Sequence, residues 1–114
     1  MAEKIKDYEC CALFQPELEA DQLDKEVAAV EDLIRERGGE VQRTDRWAKR
    51  FLAYPIKDHT EGFYVIFRWY SSRELLPDLD YHLKYNDNCL RHLVLDYTEK
   101  ERKRRKRLGK DETA

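Results

Sequence analysis

Hydrophobic residues alternate with polar ones in some parts of this chain and recur every three or four positions in others, which predicts a mixture of strands and helices. Residues 8–14 predict a first strand, and a helix follows with Asp21 as its expected N-cap. Gly38 and Gly39 are expected to end this helix, because the chain there needs a residue in the left-handed region. The predicted buried stripe of the helix is Leu23, Val27, Val30 and Ile34.

The middle of the chain predicts two more strands. Residues 41–54 alternate at first, but the alternation fails around Trp47, so a bulge or a bend is expected there. Residues 55–62 are interpreted as a polar turn, and residues 63–70 as a third strand that is apolar on both faces. A strand in a sheet that is covered on one side only should carry polar residues on its other side. The pattern therefore indicates that something covers the second face.

A second helix and a last strand complete the pattern. Ser71 or Ser72 is the expected cap, and the helix itself is expected to start late enough for Pro77 to fall in its first turn. Its predicted buried stripe is Leu75, Leu76, Leu79 and Leu83. Residues 89–97 then predict the last strand.

The order strand–helix–strand–strand–helix–strand predicts an α+β, ferredoxin-like βαββαβ fold. Two right-handed crossovers of this kind interleave into one four-stranded antiparallel sheet of strand order 4-1-3-2. Both helices then lie on one face of the sheet. The other face is left bare, and in this chain it is too apolar to remain so.

Composition divides the chain into two parts. Its 114 residues suffice for one domain, and 40% of them are charged, well above the usual quarter. Residues 1–98 hold fourteen Lys and Arg against twenty Asp and Glu, whereas residues 99–114 hold eight basic against four acidic residues. We therefore predict a folded domain over residues 1–98 and a basic C-terminal tail over residues 99–114, of the kind that binds polyanions.

The residue types that carry chemistry form no catalytic or metal-binding motif. Cys10, Cys11 and Cys89 lack the spacing of a disulfide framework and are expected to be free thiols. The three histidines share no metal-ligand spacing, and His92 is interpreted as a hydrogen-bonded core residue. No catalytic residue, metal, cofactor or small-molecule substrate is therefore expected. Since the sequence predicts neither a membrane span nor a targeting segment, we expect a cytoplasmic protein.

One stretch of the chain resembles a known family. Residues 46–56 (Arg-Trp-Ala-Lys-Arg-Phe-Leu-Ala-Tyr-Pro-Ile), followed by Gly-Phe-Tyr at 62–64, resemble the signature of bacterial small-subunit ribosomal protein six. Gly-Gly-Glu-Val at 38–41 and Asn-Asp-Asn-Cys-Leu-Arg at 86–91 support this resemblance. It covers roughly residues 8–98.

The resemblance implies a structural role in the bacterial small ribosomal subunit and the same ferredoxin-like fold. It also implies binding to the central domain of small-subunit rRNA, as a heterodimer with small-subunit ribosomal protein eighteen. The expected partners are therefore one RNA and one protein, and no enzymatic activity is expected.

The candidate RNA-binding residues are cations near the signature, near the last strand and in the tail. The cluster in the signature either contacts RNA phosphates or protects an exposed edge strand with charge, and the family motif favours RNA. Trp47 and Phe51, between these cations, are expected to be core or partner contacts. For Lys84, compensation of the second helix dipole is favoured, whereas Arg91 is expected to meet phosphate. The full set is Arg46, Lys49, Arg50, Lys84, Arg91, Arg102, Lys103, Arg104 and Arg105.

Apolar residues on the bare sheet face are the candidates for contact with the protein partner. The set is Tyr64, Ile66, Leu93 and Leu95. A regulatory dimerisation module would bury the same face, and an acylphosphatase-like enzyme has the same fold. The loop over residues 15–20, after the first strand, is acidic and repels phosphate, which argues against the enzyme.

Overall fold

The computed structural model describes residues 5–96, and these residues form a sheet with two α-helices packed on it. In chain order the elements are β1 (Lys6–Phe14), α1 (Ala20–Glu36), β2 (Glu40–Arg46), β3 (Arg50–Ile56), β4 (His59–Ser71), a short 3-10 helix (Arg73–Leu75), α2 (Leu76–Lys84) and β5 (Cys89–Asp96).

The strands pair in the order β2-β4-β1-β5, and every pairing is antiparallel. This is the predicted order 4-1-3-2 of a ferredoxin-like fold, so the fold prediction is confirmed. The strand count differs because the expected second strand is divided into β2 and β3, and both of these pair with β4. The break falls at residues 47–49, which confirms the bend expected around Trp47.

The interpretation of residues 55–62 as a polar turn is wrong. β3 and the start of β4 continue as a hairpin in which Ile56 pairs with His59 across a two-residue turn. Lys57 and Asp58 form this turn at φ 48° and 67°. Two left-handed residues in succession match the twist of a tight hairpin, although the usual glycine is missing. We call this hairpin, residues 50–62, the β3–β4 arm.

Helix α1 begins earlier than predicted. Its N-cap is Glu19 rather than Asp21, and the Glu19 N–H donates to Gln22 Oε1 at 2.9 Å. The helix start is therefore stabilised by a capping box between Glu19 and Gln22, and not by the Asp21 side chain as predicted. The predicted stripe is confirmed, since Leu23, Val27, Val30 and Ile34 are all buried. The helix ends where predicted, with Gly38 at φ 84°.

Helix α2 begins at Leu76, after the 3-10 helix, with Pro77 in its first turn as predicted. A proline there costs nothing, because the first N–H groups of a helix have no partner within the helix. Leu75, Leu79 and Leu83 are buried, and Leu76 is half-buried against the same core.

The hydrophobic core lies between the two helices and one face of the sheet. Alternate residues of β4 supply its centre: Val65, Phe67 and Trp69 are fully buried. The Trp69 indole N–H donates to Ser71 Oγ at 2.9 Å, and this hydroxyl donates to the Ser72 carbonyl at 2.9 Å. The Ser71 hydroxyl therefore serves as the hydrogen-bond acceptor for the buried Trp69 indole N–H and does not cap the helix.

All three cysteines are free, as predicted. β1 and β5 run antiparallel, with Cys10 opposite Val94 and Cys89 opposite Phe14. This register separates the Cα atoms of Cys10 and Cys89 by about four strand positions, roughly 13 Å, well beyond the reach of a disulfide. Burial raises the pKa of the Cys89 thiol to about 11, and burial likewise raises the pKa of Cys10.

These thiols differ in accessibility, which gives a first prediction. A disulfide-exchange reagent at pH 8 should modify one thiol of the native protein readily, because Cys11 alone of the three is not fully buried. Cys10 and Cys89 should react only after unfolding, and the denatured chain should titrate three thiols. Cys11→Ser should remove the fast reaction, and fast modification of two thiols in that variant would contradict the register.

The same pKa shifts predict a loss of stability at alkaline pH. The unfolded chain releases its thiol protons near pH 9, whereas native Cys10 and Cys89 retain theirs to higher pH. The native state therefore holds more thiol protons above pH 9, and its stability relative to the unfolded state falls as the pH rises. Urea melts of the protein and of Cys89→Ser between pH 8 and pH 10 measure this contribution.

Candidate functional site

The sheet has one face that no described helix covers, and the strand register decides which side chains lie on it. Tyr64 of β4 pairs with Leu13 of β1 on the open face. The next pair along the two strands, Val65 with Ala12, lies on the core face. Two positions along, Ile66 pairs with Cys11, which in turn pairs with Leu93 of β5. A shallow hollow on this face is lined by residues of all three strands: Cys11, Leu13, Tyr64, Arg91, His92 and Leu93.

This open face has an apolar half and a charged half. Next to the apolar residues, Glu9 of β1 lies between Arg68 and Leu95. Arg68 Nη2 bonds Asp7 Oδ2 at 2.9 Å, so this half carries ion pairs rather than apolar side chains. The predicted partner residues Tyr64, Ile66 and Leu93 thus share one apolar half, which Asp45 of β2 borders beside Ile66, and Leu95 lies at its border with the charged half.

Two of the predicted cations flank this apolar half and are joined by aromatic rings. The Arg50 guanidinium lies 4.6 Å from the Trp47 ring centre, and the Trp47 and Tyr64 ring centres are 6.1 Å apart. Tyr64 shares the hollow with Arg91, whose Nη1 donates to the Tyr54 hydroxyl at 2.6 Å. We call these five residues, Arg50, Trp47, Tyr64, Arg91 and Tyr54, the cation–aromatic strip.

The electrostatics of the strip favour binding to an anion. Arg91 carries a permanent charge, as any arginine does, and its hydrogen bond to the Tyr54 hydroxyl raises its pKa further. Tyr54 also limits where the guanidinium can lie, and a placed cation loses less conformational entropy on binding than a free one. The rings beside both cations present flat apolar surface, the kind on which unpaired bases stack.

The structure does not bring Arg46 and Lys49 into the strip. Arg46 pairs with Asp24 of α1, so its charge is compensated within the protein. Lys49 Nζ lies 5.3 Å from the ring centre of Phe63, a residue packed against the core. Both cations therefore belong to the helix side of the sheet. Arg46 remains exposed at its ion pair and can still meet an anion, but it is not oriented with Arg50 and Arg91.

Lys84 lies in the last turn of α2, where its positive charge interacts favourably with the negative end of the helix dipole, as expected. The turn that follows is held from α1: Asn86 Nδ2 and Asn88 Nδ2 each donate to one carboxylate oxygen of Glu26 at 2.6 Å. Asn88 N–H also donates to Asn86 Oδ1 at 3.0 Å. This clamp fixes the chain that enters β5 and so positions Arg91. The tail candidates Arg102, Lys103, Arg104 and Arg105 lie outside the described residues.

Sequence reasoning missed three features of the site. Tyr54 is part of the signature but has no predicted role, and nothing in the sequence pattern assigns a role to Glu26. Phe51 is expected in the core or against a partner, and its 82% exposure on the β3–β4 arm shows that the core alternative is wrong, whereas contact with a partner stays a prediction. Among the described residues, β3 is an apolar strand that pairs with β4 on one side and with no strand on the other. This arrangement identifies the arm.

His92 is hydrogen-bonded as predicted, since its Nε2 lies 2.7 Å from Asp80 Oδ1 of α2, but it is only half-buried and is not one of the core residues. Within residues 5–96, no grouping of His, Cys, Asp and Glu side chains could hold a metal ion. The helices of that part of the chain are all too short or too polar to cross a membrane.

Comparison with known proteins identifies relatives of this chain. The family model described as ribosomal protein S6 matches residues 7–96. The small ribosomal subunit protein bS6 of Carboxydothermus hydrogenoformans is 35% identical over 91 residues, which cover 80% of this chain and 95% of the relative. The bS6 protein of Dictyoglomus turgidum is 36% identical over 90 residues, covering 79% and 93% of the two chains.

The fold has a match among solved structures as well. A crystal structure of 30S ribosomal protein S6 from Thermotoga maritima superposes with a TM-score of 0.81, covering 92% of this chain and 99% of that one. The two sequences are 24% identical, so this likeness supports the fold.

The Glu26 clamp generates a prediction of stability. Glu26→Ala removes two charge-assisted hydrogen bonds and should lower the free energy of unfolding by about 2 kcal/mol in urea melts. Asp32→Ala, on the same helix, removes only an exposed 3.6 Å pair with Arg35 and should cost less than about 0.5 kcal/mol. Equal effects of the two substitutions would show that the clamp contributes nothing beyond a surface ion pair.

Proposed function

The chain belongs to the ribosomal protein S6 family, and on this premise we propose that it binds small-subunit rRNA, in its central domain, together with small-subunit ribosomal protein eighteen. It is a ribosomal protein and not an enzyme, since its relatives are named as components of the small ribosomal subunit. We place it in the cytoplasm, within the ribosome.

The observation that carries the proposal is the cation–aromatic strip beside the apolar half of the open sheet face. One continuous surface then offers cations and flat rings to RNA and aliphatic side chains to a protein. Phosphate contacts from Arg50 and Arg91 supply affinity, while Trp47 and Tyr54 offer rings to unpaired bases. Tyr64, which packs beside Trp47, belongs to the surface for the protein partner.

The charge distribution supports recognition by a few placed cations. Residues 1–98 carry six more acidic than basic side chains, so a diffuse positive field cannot attract RNA to this domain. Part of the negative charge is compensated locally, as in the pairs of Asp7 with Arg68 and of Asp78 with Arg37. Binding to RNA must then depend on where individual cations are held, and Arg91 is held by Tyr54.

The basic tail supports a second, less specific contribution. Arg102, Lys103, Arg104 and Arg105 belong to six consecutive cations, which repel one another and release many counterions when they meet phosphate. We propose that the tail adds affinity for RNA and that the domain selects the site.

A second candidate function rests on the same open face. A regulatory dimerisation module would bury Tyr64, Ile66 and Leu93 against a second copy of the chain. Family membership favours a different protein partner. The mass of the isolated protein in sedimentation equilibrium distinguishes the two, because the ribosomal role requires no homodimer.

The proposal that protein eighteen binds the apolar half of the open face is tested by placing a charge there. Ile66→Asp and Leu93→Asp should each weaken heterodimer formation with protein eighteen at least tenfold, because each removes about 1.5–3 kcal/mol of apolar burial and adds a charge to desolvate. Ala28→Asp, on the exposed outer side of α1, adds the same charge and should leave the dissociation constant unchanged. Circular dichroism and urea melts verify that the variants are folded. Normal binding by a folded Ile66→Asp variant would exclude this face.

The strip is tested by the salt dependence of RNA binding, measured by filter binding with protein eighteen present. Arg91→Ala should reduce the slope of log affinity against log salt by about 0.7–0.9, the value for one phosphate contact. It should also reduce the preference for the central-domain RNA over unrelated RNA. Tyr54→Phe keeps the charge and should keep the slope, but it frees the guanidinium and should weaken specific binding. If both variants bound RNA like the wild-type protein, the strip would be excluded from the RNA site.

Removal of residues 99–114 should change the salt slope more than Arg91→Ala does, and the RNA preference less. Truncation after residue 98 should reduce the salt slope by several contacts, because up to eight cations are lost, yet preserve the preference for the central-domain RNA. If truncation abolished that preference while Arg91→Ala left it intact, the tail would be the specific RNA reader.

A further inference from the structure

Helix α2 exposes two aromatic rings that the fold does not require. Tyr81 and Tyr85 are 67% and 65% exposed, and their ring centres lie 4.7 Å apart. The buried side of the helix is already supplied by Leu79 and Leu83. An aromatic pair four residues apart stabilises a helix by a few tenths of a kcal/mol, which accounts for the contact between the rings but not for two large exposed rings.

The pair lies at the end of the sheet where the candidate RNA residues are found. Tyr85 ends α2, and its N–H bonds the carbonyls of Leu83 and Tyr81. The turn that follows is the one clamped by Glu26, and it leads directly into β5 and Arg91. A short and fixed segment therefore connects the tyrosine pair, on the helix side of the sheet, to Arg91 on its open face, so an RNA that contacts both passes around this end of the sheet.

We infer that Tyr81 and Tyr85 form a second RNA contact surface, which stacks an unpaired base of the same RNA that the strip binds. This inference rests on the proposed function. The packing of the two rings on each other holds Tyr85 in place, so a base that stacks on it meets an ordered surface. Lys84 Nζ lies 5.7 Å from the Tyr85 ring centre, close enough to reach the phosphate of a stacked nucleotide.

The surroundings of the pair fit RNA better than a protein partner. The other exposed positions of α2 are Pro77 and three charged residues, Asp78, Asp80 and Lys84, so the rings stand among charges without the contiguous apolar area of a protein interface. Asp78 and Asp80 are engaged by Arg37 and His92. Asp87, exposed in the turn, opposes the charge of Lys84, and stacking must then supply most of the affinity at this surface.

The test compares variants of the full chain in filter binding to central-domain RNA, with protein eighteen present, over several salt concentrations. Tyr85→Leu should weaken binding about 5- to 150-fold, the range for loss of one stacked base, with the salt slope unchanged because no charge is lost. Tyr85→Phe keeps the ring and should bind like the wild-type protein. Lys84→Gln should instead reduce the slope by about 0.7–0.9. Tyr70→Leu, which removes an exposed ring at the opposite end of the sheet, is the matched control and should have no effect.

Ultraviolet cross-linking followed by mass spectrometry adds a direct measurement, in which a nucleotide adduct on Tyr85 is expected. If Tyr85→Leu binds RNA normally while Arg91→Ala does not, the inference fails and the proposed function stands. If the wild-type chain shows no preference for small-subunit RNA, the proposed function itself fails. Loss of protein eighteen binding in Tyr85→Leu, with RNA binding by the chain alone unchanged, would make the pair a protein contact and overturn the inference.

Discussion

The structure depends on the pairing of strand β4 with three other strands. β4 pairs with β1 along nine residues on one side, and with β2 and then β3 on the other. Because side chains of a strand alternate between the two faces of a sheet, this one strand supplies both the core and the open face. Val65, Phe67 and Trp69 anchor the helices, while Tyr64 and Ile66 face outward between them. The register of β4 thus sets the position of the core and of the candidate binding surface together.

Each face then has its own source of order. On the core side, close packing fixes the side chains, as the full burial of Trp69 and its hydrogen bond to Ser71 illustrate. On the open side, single polar contacts fix them instead, since Tyr54 orients Arg91 and Glu26 holds the turn that leads to it. The proposed binding of RNA to a net acidic domain requires this second kind of order, because misplaced cations would be outnumbered by carboxylates.

Local sequence pattern predicted the parts of the fold that depend on local physics. The stripe from Leu23 to Ile34 follows the helical period, Gly38 supplies the left-handed residue, and Pro77 tolerates only a first-turn position. The missed features join residues far apart in the chain, such as Glu26 with Asn86 or Tyr54 with Arg91. No periodicity encodes such contacts, because they depend on the completed topology. The tight turn at Lys57 and Asp58 was missed for a different reason, since neither residue is the glycine that usually marks it.

The two-residue turn at the tip of the β3–β4 arm has a consequence for how the length of this chain can change. A single residue inserted within β4 would shift every following side chain to the opposite face, so the core and the open face would exchange residues at once. An insertion between Lys57 and Asp58 changes no register in the sheet and costs only the small entropy of a longer loop. Insertions should therefore be tolerated at the tip of the arm and excluded from the strand beneath it.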